Sequence, residues 1–513
     1  MLFKNILIIA ILFLFLGTCI TPSVAIESPI TPILKGKTLY VGGTGEGNYS
    51  KIQDAIHDAR DGDTVFVYSG VYYETLWILD SISLIGEDKD TTFIDGNFSE
   101  FVIAVWENYV KISGFTIQNS GEDYDGIWCE DSNFVNISGN IIKNIDYYGI
   151  VMFNSSQNNI VDNDISNCSD GITLFTDSNN NSIIRNNIYD NRYGIRICGS
   201  PENFVYGNTI FENTREAIVL YNSKNNIIKS NIITNNFDHG ISIEYFCHNN
   251  TIINNLIRNI LGDGIIVGYE GKSNFIYGNI IDNCSDGIWF FNRCNNNTAV
   301  RNIFKNNYRG TFTSVTVFDN KIYHNIYLNN RENNAEDKFS NIYDNGYPSG
   351  GNFWDDYNGT DSDGDGIGDT PYHIPYGNNS DRYPLIKPWN NTSPNAPEID
   401  GPSRGRPDIY YEYNFVVTDP DGDDIWYNIG WGDKEVIYIY GPYPSGEEIM
   451  ISYSWSEKGS YNITCWASDM FDNTSNVSSL EIIIPRTRTT KTVWHQWFLD
   501  YFLLLERLLN LLK

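Results

Sequence analysis

The segments 163–175, NDISNCSDGITLF, and 186–198, NNIYDNRYGIRIC, decide the fold. Each begins with an asparagine, carries an isoleucine two residues later, and has a Gly-Ile pair near its end. The glycine position returns every 22 to 24 residues through the middle of the chain. A period between roughly 20 and 50 residues is typical of a solenoid, in which each repeat packs only on its neighbours. The column of these glycines, with one alanine, comprises Gly126, Gly149, Gly171, Gly194, Ala217, Gly240, Gly264, Gly287 and Gly310.

The residues between these glycines predict short strands. Bursts of β-branched and aromatic residues are bounded by Asn, Asp, Ser and Gly, and none is long enough for a pair of helices. Three such strands in about 23 residues form one coil of a right-handed parallel β-helix, with coils about 4.8 Å apart. The fold class is therefore all-β, and the glycine is expected to supply a tight bend in each coil.

An asparagine column keeps the same period. Asparagine tolerates left-handed backbone, and its amide bonds the same amide one coil away. We therefore predict a structural role for the column. Its members are Asn140, Asn163, Asn186, Asn208, Asn231, Asn255, Asn279, Asn302 and Asn325.

The entry to the solenoid, residues 49–75, has a different pattern. Ile52, Ala55, Ile56 and Ala59 share one helical face, so a short amphipathic helix is expected to cap the open end of the β-helix. The chain then divides into a signal peptide (1–25), N-terminal cap and first coils (38–100), β-helix repeats (101–345), an Asp-rich closing loop (346–390), an Ig-like β-sandwich (396–485), and a basic linker with an amphipathic helix (486–513).

The two ends of the chain predict export and attachment to a surface. Lys4, an apolar run over 6–16 and a small-residue cleavage site after Ala25 indicate a secretory signal, with an uncleaved anchor as the alternative. Polar residues of 494–513 fall on one helical stripe. A helix of that kind lies on a membrane surface or self-associates, and it does not span.

The charge balance limits the partners. Lysine and arginine number 34 against 64 acidic residues, which gives a net charge of −30. Such a chain repels nucleic acid and polyanions, and it favours divalent cations and neutral ligands.

The stretch 359–374, GTDSDGDGIGDTPYHI, predicts a calcium site. Asp361, Asp363, Asp365 and Asp369 offer oxygen ligands, which suit calcium better than zinc or copper. Tyr372 stands where an EF-hand needs its bidentate Glu, so the loop is not an EF-hand. Because the loop follows the last repeat, the predicted role of calcium is to stabilise the final coil.

Two columns of the solenoid carry candidate site residues. The position before the glycine is ionisable in five successive coils, from Glu216 to Arg309. The first four of these residues, Glu216, His239, Asp263 and Asp286, are weak catalytic candidates or simply turn formers. Aromatic side chains are expected on the outer surface of the same coils, where they stack on sugar rings or lie under a loop. The aromatic candidates for carbohydrate binding are Trp128, Trp289, Phe153, Phe175 and Tyr221.

Residues 40 to about 345 resemble the pectin-lyase-like right-handed β-helices, and most of all the NosD-type subset. The entry pattern IQDAI…GDTV and the repeated Asn-x-Ile…Gly-Ile unit carry this resemblance. The subset takes its name from a copper-binding periplasmic protein and belongs to the carbohydrate-binding and sugar-hydrolase (CASH) group. Residues 396–485 resemble an Ig-like domain of the polycystic-kidney-disease (PKD) type, from Asp-Pro-Asp-Gly-Asp at 419–423 and Trp-Gly-Asp at 431–433.

The resemblance implies a location outside the cytoplasm and a sugar-related ligand. Copper needs His, Cys or Met ligands, which are scattered in this chain, so copper is not expected despite the family name. Hydrolases of this fold cluster aspartates with a histidine and Arg-x-Lys, and that signature is missing. The leading expectation is therefore non-catalytic binding of carbohydrate or cell-envelope glycan. A polysaccharide lyase or glycoside hydrolase, and a structural or adhesive coat protein, remain the alternatives.

Overall fold

The structure is a computed structural model that describes residues 36–314, 316–389, 392–420, 425–433, 437–469 and 473–484. The chain forms two compact units, one of residues 27–390 and one of residues 391–513 together with 1–26. The predicted signal peptide (1–25) and the predicted basic linker with its helix (486–513) lie outside the described residues.

The first unit is a parallel β-helix with three strand rows, which we name faces A, B and C. Face A is a thirteen-stranded sheet. Its strands are β1 (Thr38–Val41), β2 (Thr64–Val67), β5 (Ser83–Gly86), β8 (Lys111–Ser113), β11 (Asn136–Ser138), β13 (Asn159–Val161), β15 (Ser182–Ile184), β18 (Phe204–Tyr206), β21 (Ile227–Lys229), β24 (Thr251–Ile253), β27 (Phe275–Tyr277), β30 (Thr298–Val300) and β33 (Lys321–Tyr323).

Faces B and C are joined by two long strands that turn the corner between them, β12 (Ile141–Phe153) and β14 (Asp164–Phe175). Face B also contains β3 (Gly70–Tyr73), β6 (Thr92–Asp95), β9 (Thr116–Gln118), β16 (Asn187–Tyr189), β19 (Thr209–Phe211), β22 (Ile232–Thr234), β25 (Leu256–Arg258), β28 (Ile280–Asp282), β31 (Ile303–Lys305), β34 (Ile326–Leu328) and β36 (Phe353–Trp354). Face C also contains β4 (Leu76–Ile78), β7 (Ile103–Val105), β10 (Ile127–Glu130), β17 (Tyr193–Cys198), β20 (Ile218–Tyr221), β23 (Ile241–Glu244), β26 (Ile265–Val267), β29 (Asp286–Phe290), β32 (Arg309–Thr313) and β35 (Asn333–Asp337).

The interior of the β-helix is a stack of aliphatic side chains in register. On face A, Ile160 pairs with Ile137 on one side and Ile183 on the other, and all three are fully buried. Burying such side chains contributes roughly 1.5–3 kcal/mol each, and a one-residue slip would turn them all outward. The predicted all-β fold, a right-handed parallel β-helix followed by an Ig-like sandwich, is confirmed.

The predicted asparagine column forms a continuous ladder of hydrogen bonds inside the turns. Asn231 donates from its backbone N–H and its Nδ2 to Oδ1 of Asn255, both at 2.9 Å. Asn255 makes the same two bonds to Asn279, again at 2.9 Å. The ladder ends where Asn352 donates its N–H to Oδ2 of Asp381. Every amide is thereby satisfied by its neighbours, which is how buried polar groups avoid a desolvation cost.

A second asparagine ladder, which the sequence analysis missed, lies at the turn before face A. Each member donates its backbone N–H to Oδ1 of the next, and from Asn226 onward the side chain donates as well, as in Asn226 to Asn250 at 2.9 and 3.1 Å. The ladder comprises Asn158, Asn181, Asn203, Asn226, Asn250, Asn274, Asn297, Asn320 and Asn341.

The glycine column does not supply tight bends, and that expectation is wrong. Throughout the described chain, none of these glycines has a left-handed φ. A Cβ at Gly264 would instead lie 2.8 Å from the carbonyl oxygen of Gly287 and 2.3 Å from Cγ2 of Ile281. The column is therefore small because adjacent coils approach too closely there for a side chain.

Helix α1 (Ile52–Asp58) lies where the sequence predicts it. Its predicted inner residues Ile52, Ala55 and Ile56 are buried. Glu74 accepts hydrogen bonds from the N–H groups of Ile52 and Gln53 at 2.9 and 3.0 Å, which satisfies the first turn of the helix. Its role as the end cap of the solenoid stays a prediction.

The seven described cysteines are all free thiols. Two of them, Cys247 and Cys294, occupy a position in their coils where other coils have a serine that hydrogen-bonds to a neighbouring coil. Ser223 donates its Oγ to the carbonyl of Ile197 at 3.1 Å, and Cys294 donates its Sγ to the carbonyl of Val267 at 2.9 Å. Burial raises the pKa of Cys294 to about 12, so the thiol is a structural donor rather than a nucleophile.

The closing segment after the last repeat folds onto the end of the β-helix. Its strands are β36, which pairs with β34, and the antiparallel pair β37 (Tyr372–His373) and β38 (Ser380–Asp381). Trp354 is buried between the rings of Tyr327 and Tyr372, with both ring centroids 4.3 Å away. Stacked aromatic rings thus cover the apolar end of the final coil.

The second unit is an Ig-like sandwich of two antiparallel sheets. One sheet contains β39 (Glu398–Asp400), β40 (Tyr411–Val416) and β43 (Ile449–Tyr453), and the other β41 (Ile425–Gly430), β42 (Ile437–Tyr443), β44 (Gly459–Ser468) and β45 (Ser478–Ile484). Buried Trp455 donates its Nε1 to the carbonyl of Trp431 at 3.1 Å, which satisfies a polar atom within the apolar core.

Within the described ranges, no helix has the length and hydropathy needed to cross a membrane.

Candidate functional site

The outer side of face C lies between two turns, and we name the strip between them the groove. Val219, Ser242 and Ile266 alternate with core residues and so face away from the interior, yet each is at most 9% exposed. Side chains from the two flanking turns therefore rise beside these residues and cover them. We call these three residues the groove floor.

One wall of the groove is a row of ionisable side chains, which we name the ionisable row. It consists of Glu216, His239, Asp263, Asp286 and Arg309, and thus brings together the four candidates found in the sequence. His239 Nδ1 lies 3.3 Å from Oδ2 of Asp263. Arg309 donates from Nε and a terminal nitrogen to both oxygens of Asp286, at 2.7 and 2.8 Å.

The row is largely neutralised by its own members. Burial raises the pKa of Asp286 to about 6, although the bonds from Arg309 oppose this shift. Burial also disfavours the charged form of His239, but Asp263, Asp238 and Glu216 outweigh burial and raise the pKa of His239. Arg309 is thus paired with a carboxylate, while Nδ1 of His239 accepts the backbone N–H of Asp263 at 3.1 Å.

Glu216 and Glu244 lie close enough for the charge of one to act on the other, and we call them the acid pair. Burial first, and then the charge of Glu216, raise the pKa of Glu244. Oε2 of Glu216 and Oγ of Ser242 are buried without a hydrogen-bond partner in the described chain. Unmatched buried polar atoms are rare in folded proteins, and they point to a missing partner such as water, an ion or a ligand.

The opposite wall is a line of aromatic rings, which we name the aromatic rim. It comprises Tyr221, Tyr245, Tyr269 and Phe291. The ring centroids of Tyr221 and Tyr245 are 4.7 Å apart, and those of Tyr245 and Tyr269 are 4.3 Å apart. Phe291 continues the line and stacks on Trp289 at 4.8 Å. These rings pack largely on one another, and Tyr221, at the end of the line, is 42% exposed and can contact an apolar ligand.

Toward the N-terminus the groove narrows around a third cluster. Arg196 donates to Oδ2 of Asp170 at 2.7 Å, and its guanidinium lies 4.9 Å from the ring centroid of Tyr193. Tyr148 reaches across to Phe175, with ring centroids 5.5 Å apart. Burial and then the neighbouring Tyr147 raise the pKa of Tyr148. This end of the groove is therefore closed by paired and uncharged groups.

The aromatic residues found in the sequence fall in three places. Tyr221 belongs to the aromatic rim, and Trp289 stacks against its last ring. Phe175 contacts Tyr148, while Phe153 stands 40% exposed on the same face. Trp128 belongs to a separate cluster at the first coils.

That first cluster contains two tryptophans that the sequence analysis missed. Trp77 and Trp106 stack with centroids 4.7 Å apart, and Trp106 lies 5.4 Å from Trp128. Trp106 also donates its Nε1 to Oε2 of Glu130 at 3.1 Å. The signal was available in the sequence, because Trp77 and Trp106 precede Trp128 at roughly coil spacing.

The aspartate loop brings together three of its four predicted ligands. Carboxylate oxygens of Asp361, Asp363 and Asp365 lie within 4.8 Å of one another. Asp369 is instead engaged by the loop itself, since its Oδ2 accepts from the N–H and Oγ of Ser362 at 3.0 and 2.7 Å. These bonds lower the pKa of Asp369. The three-carboxylate group fits a hard cation such as calcium, which prefers oxygen ligands.

The groups of possible metal ligands among the described residues do not suit copper. In the part of the chain that the structure describes, Asp361, Asp363 and Asp365 are the only group of three or more His, Cys, Asp and Glu side chains able to share an ion. The adjacent pair Cys247 and His248 offers one thiol, which is buried and donates to the carbonyl of Glu244 at 3.0 Å. Copper favours His, Cys and Met, so these residues do not fit it.

These features define a parallel β-helix protein with an outer groove. The family described as periplasmic copper-binding protein (NosD) matches residues 61–217 and 147–359, which together span 61–359 of 513. The chain belongs to this family. No curated protein is similar to it.

Several solved structures are similar to parts of the chain. A PKD domain of an M14-like peptidase from Thermoplasmatales archaeon SCGC AB-540-F20 is 41% identical, covers 19% of this chain and 100% of that chain, and has a TM-score of 0.18. The A-module of Azotobacter vinelandii mannuronan C-5 epimerase AlgE6 is 14% identical, with 57% and 93% covered and a TM-score of 0.43. The catalytic domain of a GH87 alpha-1,3-glucanase in complex with tetrasaccharides is 13% identical, with 60% and 69% covered and a TM-score of 0.45.

Proposed function

We propose that the protein is exported, stays at the cell surface, and binds a carbohydrate or cell-envelope glycan in the face C groove without cleaving it. The observation that carries this proposal is the aromatic rim opposite the ionisable row, with the buried groove floor between them. Sugar rings present apolar faces that stack on Tyr, Phe and Trp, and hydroxyl groups that bond carboxylates. A groove that runs across successive coils suits a chain of sugars better than a single small molecule.

The state of the ionisable row supports binding rather than catalysis. Asp286 is held by two of the three guanidinium nitrogens of Arg309, and Oδ1 of Asp263 accepts the N–H of Asp286 at 2.9 Å. Carboxylates bonded in this way orient one another and hold the wall, and they are poorly placed to exchange protons with a substrate.

Glycan cleavage is the second candidate, and one observation favours it. The acid pair combines two carboxyl groups, and the pKa of Glu244 is raised. A glycoside hydrolase needs one protonated and one ionised carboxyl on either side of the scissile bond. A non-catalytic coat protein would use neither feature.

We further propose that calcium bound by Asp361, Asp363 and Asp365 stabilises the end of the β-helix, as their oxygen-only grouping supports. The sandwich would then act as a spacer between the β-helix and the surface. An amphipathic helix at 494–513 would hold the chain there by contact with the membrane surface or with another copy.

A glycan array probed with the full chain, with and without calcium, tests the proposal. The expected result is binding of a defined glycan class, followed by no shortened products when each bound glycan is incubated with the protein and analysed by mass spectrometry. Shortened products that vanish with Glu216→Gln would replace binding with cleavage. If no glycan of the array binds, both glycan binding and glycan cleavage are contradicted, and the remaining candidate is a structural or adhesive coat protein.

A further inference from the structure

The acid pair has no ion-pair partner among the described residues, although the charge of nearby His239 opposes part of the rise in the pKa of Glu244. Arg196 is paired with Asp170, Arg309 with Asp286, and His239 with Asp263. Arg215, the remaining nearby cation, lies 3.3 Å from Asp238. In the described ranges, no basic side chain forms an ion pair with Glu216 or Glu244.

The floor beneath the acid pair is also unsatisfied. Ser242 is fully buried, and its Oγ has no hydrogen-bond partner in the described chain, as is the case for Oε2 of Glu216. Ser242 alternates with the core residues Ile241 and Ile243, so its hydroxyl faces the groove. An incoming N–H donor would supply what the carboxylates lack and would let the adjacent hydroxyl act as an acceptor.

The aromatic rim is closest to the acid pair at this same coil. Glu244 is the strand partner of Tyr221, and Tyr245 follows Glu244 in the chain and stacks on Tyr221. A cation held by the carboxylates would therefore lie beside two tyrosine rings. Aromatic faces attract ammonium groups, and charged donors make the strongest hydrogen bonds to carboxylates.

We propose that Glu216, Ser242 and Glu244, walled by Tyr221 and Tyr245, form a subsite for a protonated amine, so that the glycan recognised by the groove carries free amino sugars. This inference rests on the proposed glycan-binding function and names its ligand class. An N-acetylated or neutral sugar placed in the same subsite would bring no positive charge to offset the repulsion between Glu216 and Glu244. That arrangement is costly in a partly covered site.

Isothermal titration of the full chain at pH 6.5 tests the inference with three tetrasaccharide probes. They are a fully deacetylated β-1,4-glucosamine tetramer, its N-acetylated counterpart and a neutral β-1,4-glucose tetramer. The expected result is at least about tenfold tighter binding of the deacetylated tetramer than of the other two. The double variant Glu216→Gln, Glu244→Gln should bring this ratio close to one.

Glu202→Gln is the matched control, because Glu202 is exposed on the turn between faces C and A and its change removes the same kind of charge. It should keep the preference. Equal binding of all three tetramers, or a preference that survives the double variant, would overturn the amine subsite while leaving glycan binding intact. Failure of all three to bind overturns the inference, and the glycan array then decides the proposed function separately.

Discussion

The two regions that concentrate buried polar groups, the asparagine ladders and the face C groove, handle them in opposite ways. In the ladder, Asn255 receives two bonds from Asn231 and gives two to Asn279, so each amide is satisfied by the coil before and after. In the groove, Glu216 and Ser242 keep unmatched atoms, and burial, followed by the charge of Glu216, raises the pKa of Glu244.

The difference shows how polar residues that stabilise a repeat fold can be told apart from polar residues that are available to bind a ligand. A repeated residue finds its partner automatically one coil away, and its hydrogen bonds close within the fold. A residue that differs from its equivalents in the neighbouring coils, such as Glu216, has no such partner. The ladders should therefore control stability, and the groove should control binding.

The largest expected effect comes from breaking a ladder. Asn255→Ala removes the acceptor for two buried donors of Asn231 and the donor for the carbonyls of Ile228 and Ile253. We expect a loss of about 3–5 kcal/mol in unfolding free energy, since each orphaned group costs about 1–3 kcal/mol. Thermal melting followed by circular dichroism measures the loss.

The control for this change is Asn378→Ala. Asn378 is exposed, and no side-chain hydrogen bond of Asn378 is found within the described residues. Its melting temperature should stay within error of the parent. A ladder variant that melts like this control would refute the structural role of the column.

Calcium should have the next largest effect, and on stability alone. Saturating calcium, at about 100 times its Kd, should add about 3 kcal/mol to the stability of the metal-free chain. Differential scanning calorimetry before and after chelation should show a fall in the melting transition, while glycan affinity stays constant. Asp363→Asn should abolish the response to calcium; an unchanged transition in the unaltered chain would argue against the site.

The glycine column should give a smaller loss. Gly264→Ala places a Cβ against Ile281 and the carbonyl of Gly287, and overpacking of this kind costs about 1–3 kcal/mol. Chemical denaturation measures it. The reverse change in the same column, Ala217→Gly, creates no clash and should cost at most about 1 kcal/mol. Equal effects of the two substitutions would show that coil spacing does not select the small residue.

The smallest effect concerns pH. Burial raises the pKa of Asp125 to about 7 from its ordinary 3.8, so the folded state binds a proton that the unfolded state releases between those values. Stability should therefore fall as pH rises from about 4 to about 7. Asp125→Asn, which keeps an acceptor for the N–H of Tyr148, should remove part of this slope and raise stability at pH 7 by on the order of 1 kcal/mol.

The exposed Asp90 provides the comparison for that pH profile, because its carboxylate is solvated in both states. Asp90→Asn should leave the dependence of melting temperature on pH as it is. A profile for Asp125→Asn that also overlays the parent would mean that Asp125 is ionised at no cost in the folded chain.

The parts of the molecule that could be predicted from the sequence are those whose residues recur at the same position in successive coils. Gly171 and Asn163 have equivalents one coil away, so spacing alone placed them in columns. The cause of the glycine column could not be read in this way, because the contact of Gly264 with Ile281 depends on how closely coils approach.

The groove was harder to foresee because its members occupy different positions in their coils. Glu216 stands before the strand of its coil and Glu244 at the end of the next, so no single column contains both. Tyr245 and Tyr269 lie in turns with left-handed φ of 54° and 48°, beyond the strand positions that alternation assigns to a face. Only the path of the backbone through those turns places their rings in one line.

The dissociation constant of Tyr245→Ala for the best glycan of the array tests the central claim most directly. The matched control is Tyr109→Ala, because Tyr109 also has a left-handed φ, of 59°, and stacks on Phe134 outside the groove. The account predicts about tenfold weaker binding for Tyr245→Ala and parental binding for Tyr109→Ala. Parental affinity in Tyr245→Ala, or equal losses in both variants, would contradict a glycan site in the groove.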